Sequence, residues 1–312
     1  MKRYLIQIVL IGLLFALVIG LVFFIYYHRL YNSSFKIEDN KNILILGDSY
    51  TEHSIDDRIF FRSKNVSAGA TSYPFLYLIA KRTLKDNPQI DTLLLSFHSG
   101  AVSARIDSTW IAGTIFDVKV RTYICFADMK TIIQTKNTDI YLNALKSPKM
   151  NSIRLGTLLK KDINAFDLEI GSYVPLDSYF LEKDILLQEK EETQTLKGFN
   201  GIDTTTIQYK YLKKIEQLCS DRDVKLILIN TPTYQPEKYH QHSTFDSLRK
   251  VYLPDIPFLD FASFLIPDSC FGDIVHLNYK GAEIFSRHLQ SFDFSEKQNN
   301  IGNDTVGNAS NE

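Results

Sequence analysis

The chain has 312 residues, a formal net charge of −1 and a hydrophobic fraction of 45%. These values describe an ordinary globular chain with one sizeable core and exclude a disordered or fibrous one. The near-neutral charge, with no cluster of Lys and Arg, argues against a nucleic-acid partner. Cys125, Cys219 and Cys270 lack the spacing of metal ligands. We therefore expect neither a metal nor a cofactor.

An apolar segment at residues 4–27 contains one polar side chain, Gln7. At 1.5 Å per residue it exceeds the roughly 30 Å hydrocarbon core of a bilayer. A cleavable signal has an apolar region of about 7–15 residues followed by small residues, whereas this segment ends in bulky aromatic ones. Residues 1–29 are therefore predicted to form an uncleaved single-pass anchor, with a cleaved signal as the alternative. Lys2 and Arg3 precede the span, which favours an internal N-terminus and an exported body.

A polar stalk at residues 30–41 leads into a predicted domain at residues 42–295. Short aliphatic runs predict buried strands, and amphipathic patterns between them predict helices at Tyr73–Leu84 and Tyr209–Cys219. Strand and helix alternate, which indicates an α/β fold with a parallel sheet covered by helices on both faces. The strand patterns are Asn42–Leu46, Thr92–Phe97, Val224–Ile229 and Phe258–Phe261, with a weaker one at Asn65–Ala68.

Two regions depart from this rhythm. Residues from about 117 to 206 carry mixed helical signals without a clear buried strand, so we predict a helical insertion that forms a cap or lid. Residues 296–312 are polar and poor in aromatic side chains, which predicts a disordered tail.

The turn after the first strand, Gly47-Asp48-Ser49, carries a candidate nucleophile. Ligands of open α/β sheets bind beyond the carboxyl ends of the strands, so a serine here meets the substrate. A helix beginning just after Ser49 would also aim free backbone N–H groups at an oxyanion. The alternative is a phosphate-binding or simple capping turn.

A second candidate pair, Asp273 and His276, stands before a C-terminal helical pattern in which Asn278 is a good N-cap. A serine hydroxyl needs an imidazole to accept its proton, and a carboxylate on the other ring nitrogen fixes the tautomer. Asp273 and His276, three residues apart on one loop, meet this need locally.

This pattern, Gly47-Asp48-Ser49 with Asp273-x-x-His276 near the end, resembles the GDSL/SGNH hydrolase family in residue type and in chain order. The resemblance implies a flavodoxin-like three-layer sandwich. It also implies Ser49 as nucleophile, His276 as base and Asp273 as its partner. Gly69 stands where the family places a glycine whose N–H helps to form the oxyanion hole, although Ala68 or Ala70 could present an N–H equally well.

One family element is missing, because an asparagine is expected after the third strand and the chain has Ser96-Phe97-His98-Ser99-Gly100 there. His98 or Ser99 could donate to the oxyanion instead. Loss of one such donor typically costs about 3 kcal/mol in the transition state. A satisfied structural histidine is the alternative for His98.

The resemblance extends to membrane-anchored relatives that act on cell-envelope polysaccharides. It implies a serine esterase or O-acyltransferase that acts on an exported carbohydrate ester through an acyl-serine. Envelope-assembly proteins are expected partners. The alternative is an inactive binding or scaffold protein of the envelope, which the missing asparagine favours.

Overall fold

The computed structural model describes residues 2–103, 106–107, 119, 122–123, 162–168, 170–177, 202–235 and 242–294. The predicted tail at 296–312 lies outside these residues, and so does most of the predicted insertion at 117–206. The chain divides into two compact units, Met1–Phe35 with Val120–Ile170 and Lys36–Lys119 with Gly171–Glu312. The limits assigned from sequence to the anchor, stalk, domain and tail stay predictions.

The first unit begins with helix α1, Lys2–Tyr31. Within it, Arg3–Val22 has a mean hydropathy of 3.0, and none of this stretch is buried. By length and composition the helix can cross a membrane. After the helix, Ser34 forms a parallel bridge with Asn164, and the Phe35 ring contacts the Phe166 ring edge-on.

The second unit contains a sheet of five parallel strands in the order β2-β1-β3-β4-β5. This is the flavodoxin-like order, so the predicted α/β fold with a parallel sheet is confirmed. The strands are β1 Ile43–Leu46, β2 Ser63–Asn65, β3 Thr92–Ser96, β4 Lys225–Asn230 and β5 Phe258–Asp260.

The strand predicted at Asn65–Ala68 is displaced, because β2 ends where that prediction begins. The Asn65 side chain accepts from the Ser67 N–H at 2.9 Å and donates to the carbonyls of Thr51 and Ile55. Those bonds hold a turn after Asn65. The apolar Val66 is buried within this loop, which explains the misplaced pattern.

Five α-helices of the second unit lie among the described residues. Helices α3 and α4 pack together, with the Gln208 side chain accepting from the Tyr73 N–H at 2.7 Å. Helix α6 packs against α2 and places Phe285 in a core with Ile43 and Ile45. Since neighbouring strand residues point to opposite faces, Leu44 faces the other side of the sheet. The helices are α2 Ser49–Ser54, α3 Tyr73–Asp86, α4 Ile207–Ser220, α5 His242–Tyr252 and α6 Tyr279–Ser291.

The strand order reverses between β1 and β3, which are neighbours although β2 lies between them in sequence. In sheets of this kind the ligand crevice lies at the carboxyl ends of the two strands at such a switch point. Ser49 follows β1 and His98 follows β3, so both residues stand at this crevice.

Candidate active site

The turn between β1 and α2 depends on the absence of a side chain at Gly47. A Cβ there would clash with Thr51 Oγ1 and Ser96 Cβ. Asp48 caps α2 by accepting from the Tyr50 N–H at 3.1 Å. Ser49 is the first residue of α2 and is half-buried, so its N–H is one that the helix leaves without an intrahelical partner.

The loop before α6 holds the second candidate pair. Asp273 Oδ1 accepts from the N–H groups of Val275 and His276, each at 2.8 Å, and Oδ2 lies 2.7 Å from His276 Nδ1. Burial alone would raise the pKa of Asp273, but the His276 bond, the His276 charge and the two N–H groups hold it below its usual value. The Asp273 carboxylate can only accept from Nδ1, so it favours a proton on that nitrogen, and in the neutral ring Nε2 is then the acceptor.

His276 Nε2 is buried and makes no hydrogen bond to any residue that the structure describes. The ring lies beside α2, with its centroid 5.7 Å from that of Tyr50 and 5.1 Å from that of His53. The Asp56 N–H donates to Ser286 Oγ at 2.8 Å, which ties the loop after α2 to α6. The structure thus brings the base predicted from sequence next to the helix that begins with Ser49.

The Gly69 region adds a residue that the sequence did not reveal. The Gly69 N–H donates to the Glu52 carboxylate, and a Cβ on Gly69 would lie 3.0 Å from Glu52 Oε2 and 3.8 Å from Ser49 Cβ. Burial raises the pKa of Glu52 despite His53, this N–H and Lys119, which lower it. Gly69 therefore lies close to Ser49, with its N–H bonded to Glu52. The Ala68 N–H donates to the Gly47 carbonyl, which removes Ala68 as an alternative.

His98 differs from the oxyanion donor that the sequence suggested. It is 7% exposed, with Nε2 2.7 Å from Asp48 Oδ2 and Nδ1 2.8 Å from the Ser99 carbonyl. Burial alone would lower its pKa, but the charge and hydrogen bond of Asp48 raise it. Burial would raise the pKa of Asp48, which the charge and hydrogen bond of His98 lower. The pair is therefore ionic, and both ring nitrogens of His98 are engaged, so the geometry does not support His98 as an oxyanion donor. Ser99 is half-buried at the same strand end.

A segment at residues 171–177, the crossing segment, joins three parts of the site. Its backbone bonds to Ser67, Glu52 and Tyr279 at 3.0 Å each. His53 Nδ1 lies 2.8 Å from the carbonyl of Val174 in this segment. Gly171 has φ 157° and approaches Val66 so closely that a Cβ would clash with its carbonyl.

A cleft of about 280 Å³ lies along the crossing segment. Arg58 pairs with Asp56 at 2.7 Å, and its guanidinium lies 5.2 Å from the centroid of the Tyr173 ring. Burial and Asp56 raise the pKa of Tyr173 to about 12, so its hydroxyl stays protonated at neutral pH. The cleft is lined by two tyrosines, four charged side chains and two apolar residues: Tyr173, Tyr279, Asp56, Arg58, Asp177, Glu283, Ile59 and Pro175.

Comparison with known proteins gives two similar solved structures. One is a GDSL-like lipase from Bacteroides thetaiotaomicron, with 10% identity and a TM-score of 0.33 over 85% of this chain and 93% of that one. The other is a predicted acylhydrolase from Bacteroides fragilis, with 12% identity and a TM-score of 0.34 over 85% and 92%. Because both TM-scores are low, these two similarities add no information to the fold that the strand order of the sheet already defines.

A family model without a descriptive name matches residues 186–292, less than half of the chain. No curated protein matches the sequence. The molecule itself therefore defines the class: it is a flavodoxin-like α/β protein with Ser49 directly after β1 and with the His276–Asp273 pair beside the helix that Ser49 begins.

Proposed function

We propose that the protein is a serine esterase or O-acyltransferase that forms an acyl-enzyme on Ser49. The observation that carries the proposal is the state of the His276 ring. Its Nδ1 is held by Asp273, whereas its Nε2 is buried, unpartnered among the described residues and beside α2. A buried polar atom without a partner is costly, and a nearby hydroxyl that donates to it removes that cost.

The reaction would begin when Ser49 Oγ attacks the acyl carbonyl and gives its proton to His276 Nε2. The tetrahedral oxyanion then collapses, the ester C–O bond breaks, and the departing alcohol takes the proton from Nε2. Water or a second hydroxyl attacks the acyl-serine through the same base. Asp273 orients the ring and stabilises the imidazolium without taking the proton.

The oxyanion would be bound by the N–H groups of Ser49 and Gly69, with the Ser99 hydroxyl as a third candidate. The bond between Gly69 and Glu52 bears on this step, because the Glu52 carboxylate competes with an oxyanion for the same N–H. Substrate must therefore displace Glu52 before the Gly69 N–H can serve.

The substrate we propose is a carbohydrate ester of the cell envelope, with the cleft beside the crossing segment holding part of the sugar. Tyrosine rings can pack against a sugar face, while carboxylates and a guanidinium can bond its hydroxyls. Tyr173→Ala should raise KM for an acetylated sugar and leave KM for a small acetyl ester unchanged. An equal rise in KM for both substrates would show that the cleft does not bind the sugar.

The proposed location is a membrane with the domain on its exported side, through residues 4–27. The apolar span of α1 and the basic residues Lys2 and Arg3 before that span support this placement. We expect the protein to stay with membranes after carbonate washing, and an exported reporter fused after residue 295 to be active. A soluble mature form beginning near residue 30 would contradict the anchor.

A second candidate function is an envelope binding or scaffold protein without turnover. It is favoured by the missing asparagine and by Glu52 on the Gly69 N–H. Substrate binding without hydrolysis or acyl transfer would identify it.

The experiment that tests the enzyme is turnover of a small acetyl ester by the full chain in detergent. Wild type should hydrolyse it, and Ser49→Ala should not. Ser172→Ala, which changes an exposed serine of the same unit, should match wild type. A folded wild type without activity on acetyl esters, sugar esters or acyl acceptors would leave only the binding protein.

A further inference from the structure

We propose that His98 is a positioning residue that clamps both chain neighbours of Ser49 and so fixes the direction of its hydroxyl. The inference rests on the proposed function, since it concerns the same nucleophile. It gives His98 a role other than donation to the oxyanion.

The first half of the clamp is the ion pair with Asp48, the residue before Ser49. His98 Nε2 lies 2.7 Å from Asp48 Oδ2, and Ser96 Oγ donates to Asp48 Oδ1 at 3.1 Å. Ser96 ends β3 and His98 lies two residues further on, so an extended backbone places both side chains on the same side of the sheet, where both contact Asp48. The end of one strand thereby holds the turn that follows the other.

The second half of the clamp is the ring of Tyr50, the residue after Ser49. It stacks on the His98 ring with centroids 3.9 Å apart and an interplanar angle of 8°. An imidazolium on an aromatic face is attracted by the ring as well as packed against it. The Tyr50 N–H also donates to Asp48 Oδ1, which closes the arrangement around Ser49.

The Tyr50 ring also lies near the proposed base. Its centroid is 5.7 Å from that of His276, so the ring that stacks on His98 is also a neighbour of His276. Movement of Tyr50 would change the separation of nucleophile and base. Misplacement by about 1 Å can cost on the order of a hundredfold in rate.

The His98 ring itself is fixed by its other nitrogen. Nδ1 donates to the Ser99 carbonyl at 2.8 Å, and the side chain is 9% exposed. With both nitrogens engaged, rotation of the ring would break two hydrogen bonds and the stacking. A ring held in this way suits a rigid support, because a supporting group must not move when substrate binds.

The test compares His98→Gln and His98→Phe in the full chain. The glutamine amide can still donate to Asp48 but cannot stack, whereas the phenylalanine ring can stack but cannot donate. We expect each to lower kcat for a small acetyl ester by about ten- to a hundredfold, with little change in KM. An oxyanion donor predicts a different result, with near-normal kcat for the glutamine variant and a large loss only for phenylalanine.

The control is a second histidine–aspartate pair in the same unit. His242 Nε2 lies 2.6 Å from Asp260 Oδ2 at the end of β5. His242→Gln should leave kcat and KM at wild-type values. Wild-type kcat in both folded His98 variants, or an equal loss in His242→Gln, would overturn the clamp.

Failure of the clamp and failure of the enzyme are distinguishable. If wild type is inactive on every ester, the proposed function fails, but the clamp still predicts faster amide hydrogen exchange at Tyr50 in both His98 variants. If wild type is active and the Tyr50 amide exchanges at the wild-type rate in both variants, the clamp alone is wrong.

Discussion

Two histidines flank the helix that begins with Ser49, and the structure holds them in opposite ways. His98 is paired with Asp48, and both of its nitrogens are engaged. His276 is paired with Asp273 at the same distance of 2.7 Å, but its Nε2 has no partner among the described residues. The distance to the carboxylate is therefore uninformative. The second ring nitrogen distinguishes the two residues, because it is hydrogen-bonded in His98, the supporting residue, and lacks a partner among the described residues in His276, the candidate base.

The greatest loss of activity should follow removal of Ser49 or of His276, whose Nε2 would accept the serine proton. Ser49→Ala and His276→Ala should each reduce ester turnover to a floor on the order of 10⁵–10⁶-fold below wild type, and the double variant should be no worse. Groups that act as one unit are not additive, because removal of either stops the same step. Additive losses in steady-state kinetics would show that the two residues act independently.

A smaller loss of kcat is expected for Asp273 than for His276, and this difference distinguishes their roles. Asp273→Asn should reduce kcat by about a thousandfold to ten-thousandfold and leave more activity than His276→Ala, because the imidazole still acts when its tautomer is poorly set. The measurement is kcat on the same acetyl ester. Asp260→Asn, in the pair at the end of β5, is the matched control and should keep wild-type kcat.

Replacement of His98 should lower the free energy of unfolding more than replacement of His276, which is the reverse of their expected effects on activity. His98→Ala leaves Asp48 as an unpaired charge that is 5% exposed, a change that typically costs about 3–5 kcal/mol. His276→Ala leaves Asp273 with two backbone N–H donors and more solvent, so about 1 kcal/mol is expected. Denaturant unfolding of the full chain in detergent measures both. A larger loss in His276→Ala would contradict the comparison.

The ion pair should also give stability a dependence on pH. The pKa of His98 is raised above its usual 6.5, so its contribution to stability is complete below that pH and is lost as pH rises through the pKa of the folded state. The pKa of Asp48 is lowered from 3.8, so its contribution is lost as pH falls below that value. The free energy of unfolding should therefore decline above pH 6.5, and His98→Gln should remove that decline. An unchanged alkaline decline in His98→Gln would assign it to another group.

The smallest change in kcat is expected for substitution of Glu52. Glu52→Ala frees the Gly69 N–H, so kcat should rise a few-fold if that N–H binds the oxyanion. Glu283→Ala, an exposed carboxylate on α6, serves as the control with a small ester. Unchanged or lower kcat in folded Glu52→Ala would remove Gly69 from the oxyanion hole.

The sequence predicted the parts of this fold that depend on local patterns. The aliphatic run at Ile43–Leu46 and the capping Asn278 were both recognisable, since each effect acts within a few residues. The polar β2, Ser63–Asn65, was misplaced because its place in the sheet comes from pairing with β1 rather than from its own composition.

The site shows the same division. Asp273 and His276 pair across one short loop, so their spacing could be interpreted directly. The role of His98 could not be predicted in this way, because Asp48 lies fifty positions away in sequence and only the folded sheet brings the two side chains together. The spacing of Ser96 and His98, two apart at a strand end, was the one available signal that both could face Asp48.

A fluorophosphonate probe reacts with an activated serine, so it asks whether Ser49 is a nucleophile activated by His276. The probe is applied to the full chain in detergent, and the adduct is located by peptide mass mapping. We predict one adduct, on Ser49, that forms rapidly in wild type, slowly in His276→Ala and not at all in Ser49→Ala. A folded wild type that takes up no probe, or an adduct on another residue, would contradict the claim.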